Sequence, residues 1–493
     1  MKIQLTQTLT PLLAAMMLAG CSLTPSYTPP SVAIPTAFKE AQTTDGATNN
    51  ADWKTAQPAD AESRGAWWTI FADPQLNDLE QQASSGNQTL KAAAANLQAS
   101  RALRQAARSE WFPQVSAGFG PTRQKPSPAS LGLAPDSATS AQTLWREQAA
   151  VSYEVDLFGR VASTVNAATA DSQHSAALFQ SLTLALQADV AQGYFLIRQL
   201  DAEQALYAST VKLRGESLVL IQKRYDAGYI SELDLSRAKS EQAAAQADLL
   251  GIARSRADAE HALALLLGKT PADFSLAPQP LTAIDINIPA GLPSSLLERR
   301  PDIAAAERTM AADNARIGIA RAAFFPSLNL TGSLGYESSA LSDLGSWSSR
   351  TFLLGPLAGT ILSLPIFDGG LRKANVAQAR ANYEAAVAQY RQTVLNGFRE
   401  VEDGLSDQRI LSQQLAAQND AVHSAARAAE ISHLQYKEGA INYLDVIEAD
   451  RSVLLQQRTA VQLNGDRARA AVSLIRALGG GWSAPTPLGQ GKG

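Results

Sequence analysis

The chain has 493 residues, a formal net charge of −4 and 18% charged residues. That slightly acidic balance gives no reason to expect nucleic acid, whose binding usually demands a basic face. Aromatic residues make up only 6%, and an abundance of Ala, Leu, Gln and Ser points to helices whose small side chains allow close approach.

Residues 1–20 read as a signal peptide. Lys2 is the charged end, Leu9 to Leu18 is a short apolar run, and small residues precede the cut. The run is too short to span a bilayer as a mature helix. Cys21 is the only cysteine, so no internal disulfide can form. Leu18-Ala19-Gly20-Cys21 resembles the bacterial lipobox, in which the cysteine becomes a lipidated N-terminus; the other reading is a chance cysteine beside a cleavage site. The resemblance implies that Ser22, standing where Asp is absent, favours sorting to the outer membrane, and more than one acyl chain gives stable anchoring. Residues 21–65, rich in Pro, Thr, Ala and Asp without a period, read as an extended, lipid-anchored lead along the surface.

From Trp67 the pattern is helical, with Leu76, Leu79, Leu90, Leu97 and Leu103 on an Ala/Gln-rich stretch ending near Trp111-Phe112-Pro113. Strands are predicted at 115–120 and 150–158, with a long loop at 121–144 between them. Helix signals resume after Gly159: Leu178, Leu182, Leu186, Val190 and Tyr194 fall at i+4 steps. Gly228 ends this helix, and another runs from Ser231 to Gly268. After a Pro-rich link the programme repeats: a helix from Ser294 to Ala323, a strand at 324–336, a Ser-rich loop at 337–350, a strand at 351–367, a long helix to Gly439 and a last one to Gly479-Gly480-Gly481. The layout is a first repeat at 66–278, a linker at 279–293, a second repeat at 294–482 and a loose tail at 483–493. The fold class is mainly α, with long helical hairpins and four β-strands per chain.

Two stretches mark the repeat: RYDAGYISELDLSRA from Arg224 and QYKEGAINYLDVIEA from Gln435. Tyr225 and Tyr436, Gly228 and Gly439, and Asp234 and Asp445 are each 211 positions apart. Each stretch reads as the tight tip of a hairpin. A helix of ~70 residues is roughly 100 Å long and a ~40-residue arm about 60 Å; the helices at 67–110 and 294–323 fill the difference if stacked end to end. Along the second long helix the apolar positions Val376, Ala379, Tyr383, Val387, Tyr390, Val394, Phe398, Val401 and Leu405 recur nearer an eleven-residue than a seven-residue period. That period implies nearly straight or slightly right-handed packing.

Four strands cannot close a membrane barrel, which needs about eight, and an open edge in lipid leaves backbone groups unpaired. Either several chains share one barrel, or the strands form a small soluble subdomain packed on the helix ends. At the tips, Gly228 and Gly439 suit left-handed helix caps, and Ser231 and Asn442 suit the next helix starts. Asp234 and Asp445 follow three residues later, where the helix dipole favours a carboxylate. Enzyme chemistry finds no support. His174, His261, His423 and His433 include no i, i+4 zinc pair, and there is no nucleophile elbow, P-loop or dinucleotide fingerprint. No cofactor is expected.

The segments LPSSLLERRPDIAAAE (292–307), IGIARAAFFPSLNLTGS (317–333), DLFGR (156–160) and PIFDGG (365–370), with both tips, resemble the TolC/OprM/NodT-like outer-membrane efflux proteins, specifically their lipoprotein branch. The resemblance covers nearly the whole mature chain. It implies a homotrimer whose strands build one twelve-stranded barrel in the outer-membrane lipid and whose helices build a barrel across the periplasm. Six tips with near-sixfold symmetry would meet a periplasmic adaptor protein, which joins the duct to an inner-membrane pump of the RND type. The function implied is a passive exit duct for small toxic molecules or drugs, opened by an iris-like movement of the tips. The alternatives are a duct for type I protein secretion and, in a different class, a lipid-anchored scaffold without a pore.

By the same resemblance, Leu444, Asp445 and Glu448 match a periplasmic gate, and threefold repetition would turn each carboxylate into a ring. The family varies at the position of Glu448. Asp234 would link neighbouring hairpins, with Tyr436 as a possible partner. The family's basic linking residue after the second tip glycine is missing, since Ala440 and Ile441 stand there. The backbone around Gly228 and Gly439 is the expected adaptor surface, with Tyr225 and Tyr436 beside it, although packing of both tyrosines is an equal alternative.

Overall fold

The computed structural model describes residues 23–35, 37–40, 65–281, 288, 295–354 and 362–480. The signal peptide, Cys21, most of the second half of the lead and the tail lie outside the described residues. The elements in order are α1 (Pro74–Gly86), α2 (Gln88–Ser109), β1 (Gln114–Gln124), β2 (Gln142–Val155), α3 (Arg160–Asp226), α4 (Glu232–Leu266), α5 (Ser295–Arg299), α6 (Pro301–Ala322), β3 (Ser327–Ser338), β4 (Arg350–Leu354), β5 (Leu362–Ser363), α7 (Leu371–Lys437) and α8 (Tyr443–Ala477). Among the described residues no helix is long and apolar enough to cross a membrane.

The repeat read from the tips is reproduced by the helices. α3 and α7 have 67 residues each, α4 and α8 have 35 each, and the members of each pair start 211 positions apart. At about 1.5 Å per residue the long arms measure roughly 100 Å. The described residues divide into two compact units, and each draws on both sequence repeats: one comprises those up to Pro30 and within Asn96–Ser175 and Ala306–Tyr390, the other those within Ser31–Ala95 and Ala176–Ala305 and from Arg391 onward.

The first unit holds one antiparallel sheet ordered β1-β2-β3-β4, with β5 also on β3. β1 and β2 run longer than the sequence predicts. Pro121 argues against a central strand, but β1 is the edge strand of this chain, where a residue without an N–H is tolerated. The start of β2, residues 142–144, is ladder rather than loop, with Gln124 directly opposite Gln142; just beyond it Arg146 sits opposite Glu337 and binds it at 2.5 Å. The strand predicted at 351–367 is represented by β4 and β5. Their registers on β3 differ by four residues, so the two do not form one uninterrupted ladder. Register sorts the sheet into two faces. Val115, Phe119, Val151, Leu330, Leu334, Phe352 and Leu354 share one face, and all are exposed. Ser116, Gln148, Arg146, Thr331, Ser333 and Glu337 share the other.

Each long helix starts under an aspartate. Asp156 accepts the Val161 and Ala162 N–H groups at 3.1 and 2.7 Å, and Asp368 accepts those of Gly370 and Arg372 at 3.0 Å. These carboxylates satisfy otherwise orphan N-terminal donors, which gives DLFGR and PIFDGG a local structural meaning. The lead is tied to this unit: the Tyr27 hydroxyl donates to Glu307 Oε1 at 2.6 Å, and Thr24 meets Ser163 at 2.8 Å.

The second unit carries the main hydrophobic core, in which Leu76, Tyr194, Ile197, Leu263, Val401, Val472, Leu474 and Ile475 are buried with Phe38 and Trp67. The lead therefore inserts Phe38 into the core instead of lying only on the surface. The segment predicted as one helix over 67–110 breaks at Gly86-Asn87. A Cβ on Gly86 would meet the Leu267 carbonyl oxygen at 2.2 Å, and Asn87 Nδ2 donates to Leu266 O at 2.9 Å. The α4 C-terminus thus abuts the start of α2. In the second repeat Arg300, at the α5–α6 break before Pro301, donates to Ala477 O at 3.0 Å and to Glu400 at 2.7 Å. The short arms meet the separate helices end to end. The buried Arg198 is bound by Asp201 at 2.9 Å, and Arg256 binds Asp201 at 2.6 Å and the Leu276 carbonyl at 2.6 Å. These ties pin the described start of the Pro-rich link.

Candidate functional site

Both tips fold by one set of backbone bonds. In the first, Gly228 N–H donates to Tyr225 O at 2.9 Å and Tyr229 N–H to Arg224 O at 2.9 Å; in the second, Gly439 N–H donates to Tyr436 O at 3.1 Å and Ala440 N–H to Gln435 O at 2.9 Å. The glycines take φ of +73° and +76°, a left-handed region that costs residues with a Cβ. The next helices start differently. Ser231 Oγ accepts the Asp234 N–H at a long 3.4 Å. Asn442 and Asp445 form a reciprocal capping box, at 3.2 and 3.3 Å, which satisfies two donors at once.

The two hairpins pack on a shared core. Ile221 from α3, Leu235 and Ala238 from α4, and Tyr443, Val446 and Ile447 from α8 are buried together, with Tyr436 and Ile441 against them. Desolvation in this core pushes the Tyr443 phenol up to about 12. Since 443, 446 and 447 share one face of the helix, Leu444, Asp445 and Glu448 are left on the exposed side. The structure therefore brings the three candidate gate residues onto one outward surface of α8.

Glu448 is not a free carboxylate. Arg451 Nη1 donates to it at 3.0 Å, while Arg451 Nε reaches Glu241 Oε1 on α4 at 3.1 Å. Glu241 is buried and also takes Arg214 Nη1 of α3 at 2.9 Å. A chain of charges thus runs Glu448–Arg451–Glu241–Arg214 from the second hairpin into the first. Its hydrogen bond to Glu241 is the leading reason that the Arg451 guanidinium is held above the ordinary arginine range. Sequence reading missed Arg451, Glu241 and Arg214; the only local signal was the i, i+3 spacing of Glu448 and Arg451.

Asp234 is occupied on its own helix, by the cap and by Arg237 at 3.4 Å. It does not meet Tyr436, whose hydroxyl is buried without a hydrogen-bond partner. Tyr436 instead packs against Tyr443 with ring centroids 5.5 Å apart and planes tilted by 46°, and the Arg224 guanidinium lies 5.3 Å from its ring centroid. The link between hairpins at this level is Arg224–Tyr436. The two tyrosines part company: Tyr436 takes the packing alternative, against the tip core, while Tyr225 is 36% exposed. The most exposed apolar side chains of the first tip are ones the sequence did not single out, Tyr229 at 82% and Leu233 at 58%.

Comparison with known proteins gives consistent matches. A family model described as outer membrane efflux protein matches residues 79–269 and 292–480. The toluene efflux pump outer membrane protein TtgF of Pseudomonas putida is 35% identical over 472 residues, covering 95% of each chain. The outer membrane protein OprJ of Pseudomonas aeruginosa is 34% identical, covering 96% of this chain and 95% of its own. Among solved structures, the outer-membrane channel OprN superposes with a TM-score of 0.82 at 31% identity, covering 94% of this chain and 100% of its own. The open state of the MtrE outer membrane channel of Neisseria gonorrhoeae gives 0.79 at 30% identity, covering 94% and 98%.

Proposed function

Because the chain belongs to the outer membrane efflux protein family, we propose that it forms the exit duct of a tripartite efflux system, as a homotrimer gated at its helical tips. It is an outer-membrane channel component of an efflux pump, and the family is one of ducts, not of enzymes. A periplasmic adaptor and an inner-membrane pump of the RND type are its partners in this reading, and the pump supplies the energy. The cargo is small organic molecules, in line with the names of the relatives. Three chains supply a twelve-stranded barrel. The sheet supports this with one exposed apolar face, one polar face and edges that a single chain leaves open. Cys21 carries the lipid anchor.

The observation that carries the gate is the sorting of the first turns of α8. Tyr443, Val446 and Ile447 fix that helix to the first hairpin and leave Leu444, Asp445 and Glu448 exposed. Threefold repetition makes rings of the exposed three, and rings of carboxylates attract cations. Opening then requires the second hairpin to swing away from the first, which breaks Arg451–Glu241 and Arg224–Tyr436. The exposed Tyr229 and Leu233 of the first tip, with the tip backbone at Gly228 and Gly439, are the adaptor-docking surface.

Planar-bilayer conductance tests the reading. The wild-type assembly should conduct weakly at rest and strongly when Leu444, Asp445 and Glu448 are all replaced by Ala. A stable assembly that conducts in neither form sinks the duct. Metabolic labelling with palmitate should be lost in Cys21→Ser, and continued labelling would remove the anchor from that residue.

A further inference from the structure

A cleft in the sheet-bearing unit has a composition that the duct does not use. Its volume is 390 Å³, within the range of small-ligand sites. Three cationic side chains line it: Arg321 at the end of α6, and Lys373 and Arg380 on the first turns of α7. No carboxylate does. Lys373 and Arg380 are exposed and seven positions apart, so they stand on one helix face with Val376 and Ala377 between them. Phe324, Phe325 and Leu23 complete an apolar wall, and both phenylalanines are exposed, at 46% and 40%. Arg321 is the one cation of the three with a described partner, a 3.4 Å bond to the Leu23 carbonyl.

Two facts place this cleft at the level of lipid headgroups. β3 begins at Ser327, two residues after Phe325, so the cleft sits where helix gives way to the sheet with the exposed apolar face. Leu23 follows Cys21 by two residues, a span of at most about 7 Å of chain. An apolar wall with two exposed phenylalanines, beside three cations and no carboxylate, matches an amphiphile with a negative head. We propose that the cleft binds an anionic phospholipid of the outer membrane, with its phosphate between Arg321, Lys373 and Arg380 and an acyl chain along Phe324, Phe325 and Val376. The cations decide against the neutral acyl chain of the anchor itself as occupant, since a hydrocarbon chain gains nothing from them.

The inference rests on the membrane placement of the sheet and needs neither a gate nor conduction. The test is native mass spectrometry of the intact, delipidated, full-length assembly, titrated with phosphatidylglycerol and with phosphatidylethanolamine. The expected result is at least a tenfold preference for phosphatidylglycerol that weakens as salt is raised. Lys373→Ala with Arg380→Ala should abolish the preference, and Val376→Trp, which fills the cleft and keeps every charge, should abolish binding. Equal binding of the two lipids overturns the proposal, as does a preference that survives both variants. A gain of bound phosphatidylglycerol in Cys21→Ser also overturns it, by placing the anchor's own acyl chain in the cleft. If the variants no longer assemble and the wild type shows no lipid preference, the cleft is a subunit contact and the proposal fails. Conductance on the same preparations keeps the two readings apart: a silent channel with the lipid preference sinks the duct alone, and a conducting one without it sinks the lipid site alone.

Discussion

The two hairpin tips share a backbone and differ in what their side chains face. Tyr443 and Ile447 of the second tip are buried against the first hairpin. The positions 211 residues earlier are Glu232 and Ser236, which are polar. Arg237 of the first tip pairs with Asp234 on its own helix, whereas its counterpart Glu448 joins an ion-pair chain into the other hairpin. Repetition of a fold thus specifies where each chain turns, and departures from repetition specify which tip is held and which face is left free. A partner that treats the tips as equivalent must read the glycine turns; a gate must read the differences.

The largest expected effect is at the buried member of the pair. Tyr443→Ala should destabilise the tips by about 3 kcal/mol, the scale of large aromatic truncations in cores, while Glu232→Ala stays within about 0.5 kcal/mol, as exposed changes do. Hydrogen exchange of the tip amides measures both, and equal protection in the two variants breaks the comparison. Next comes the charge chain. Arg451→Ala leaves buried Glu241 with Arg214 alone and should raise resting conductance about tenfold, equivalent to ~1.4 kcal/mol of closure, whereas Arg237→Ala should leave it unchanged. Gly228→Ala and Gly439→Ala should each cost about 1–2 kcal/mol for the left-handed backbone, and here the tips should agree.

The smallest effect is confined to alkali. The Tyr443 phenol sits at about 12, raised by burial from an ordinary 10.0. Its stabilising share is therefore complete below pH 10 and is lost as pH rises through 12. Tyr443→Phe should show a flatter decline of tip stability between those two values and match the wild type at neutral pH. A parallel decline in both proteins would place the phenol in water.

Helix existence, the repeat and the turning points were legible in the sequence because glycine turns and caps are local features with fixed spacing. Asp445 at a helix start followed from Asn442 three residues earlier, and the structure adds only that the cap is reciprocal. What was not legible depends on contacts distant in the chain. Pro121 looked like a strand end until the sheet order made β1 an edge, and Gln142 looked like loop until Gln124 was found opposite it. Within the chain, Asp234 and Tyr436 have other partners for the same reason: Arg237 is near in sequence and pairs with the carboxylate, while Arg224 reaches the ring from the neighbouring hairpin. Arg451 carried no local mark of importance, because its second partner lies 210 positions away.

The matched lengths of the long arms, 67 residues against 67 and 35 against 35, make the chain behave like paired staves cut to one template. A residue inserted into one stave turns everything beyond it by about 100° and slides it by 1.5 Å, which would carry Leu444, Asp445 and Glu448 off the exposed face and Tyr443 out of its seat. Length is therefore the least negotiable property of these helices. Their surfaces can drift toward new adaptors or cargoes through substitution, but a change in length has to be made in both hairpins together or undone within the same arm.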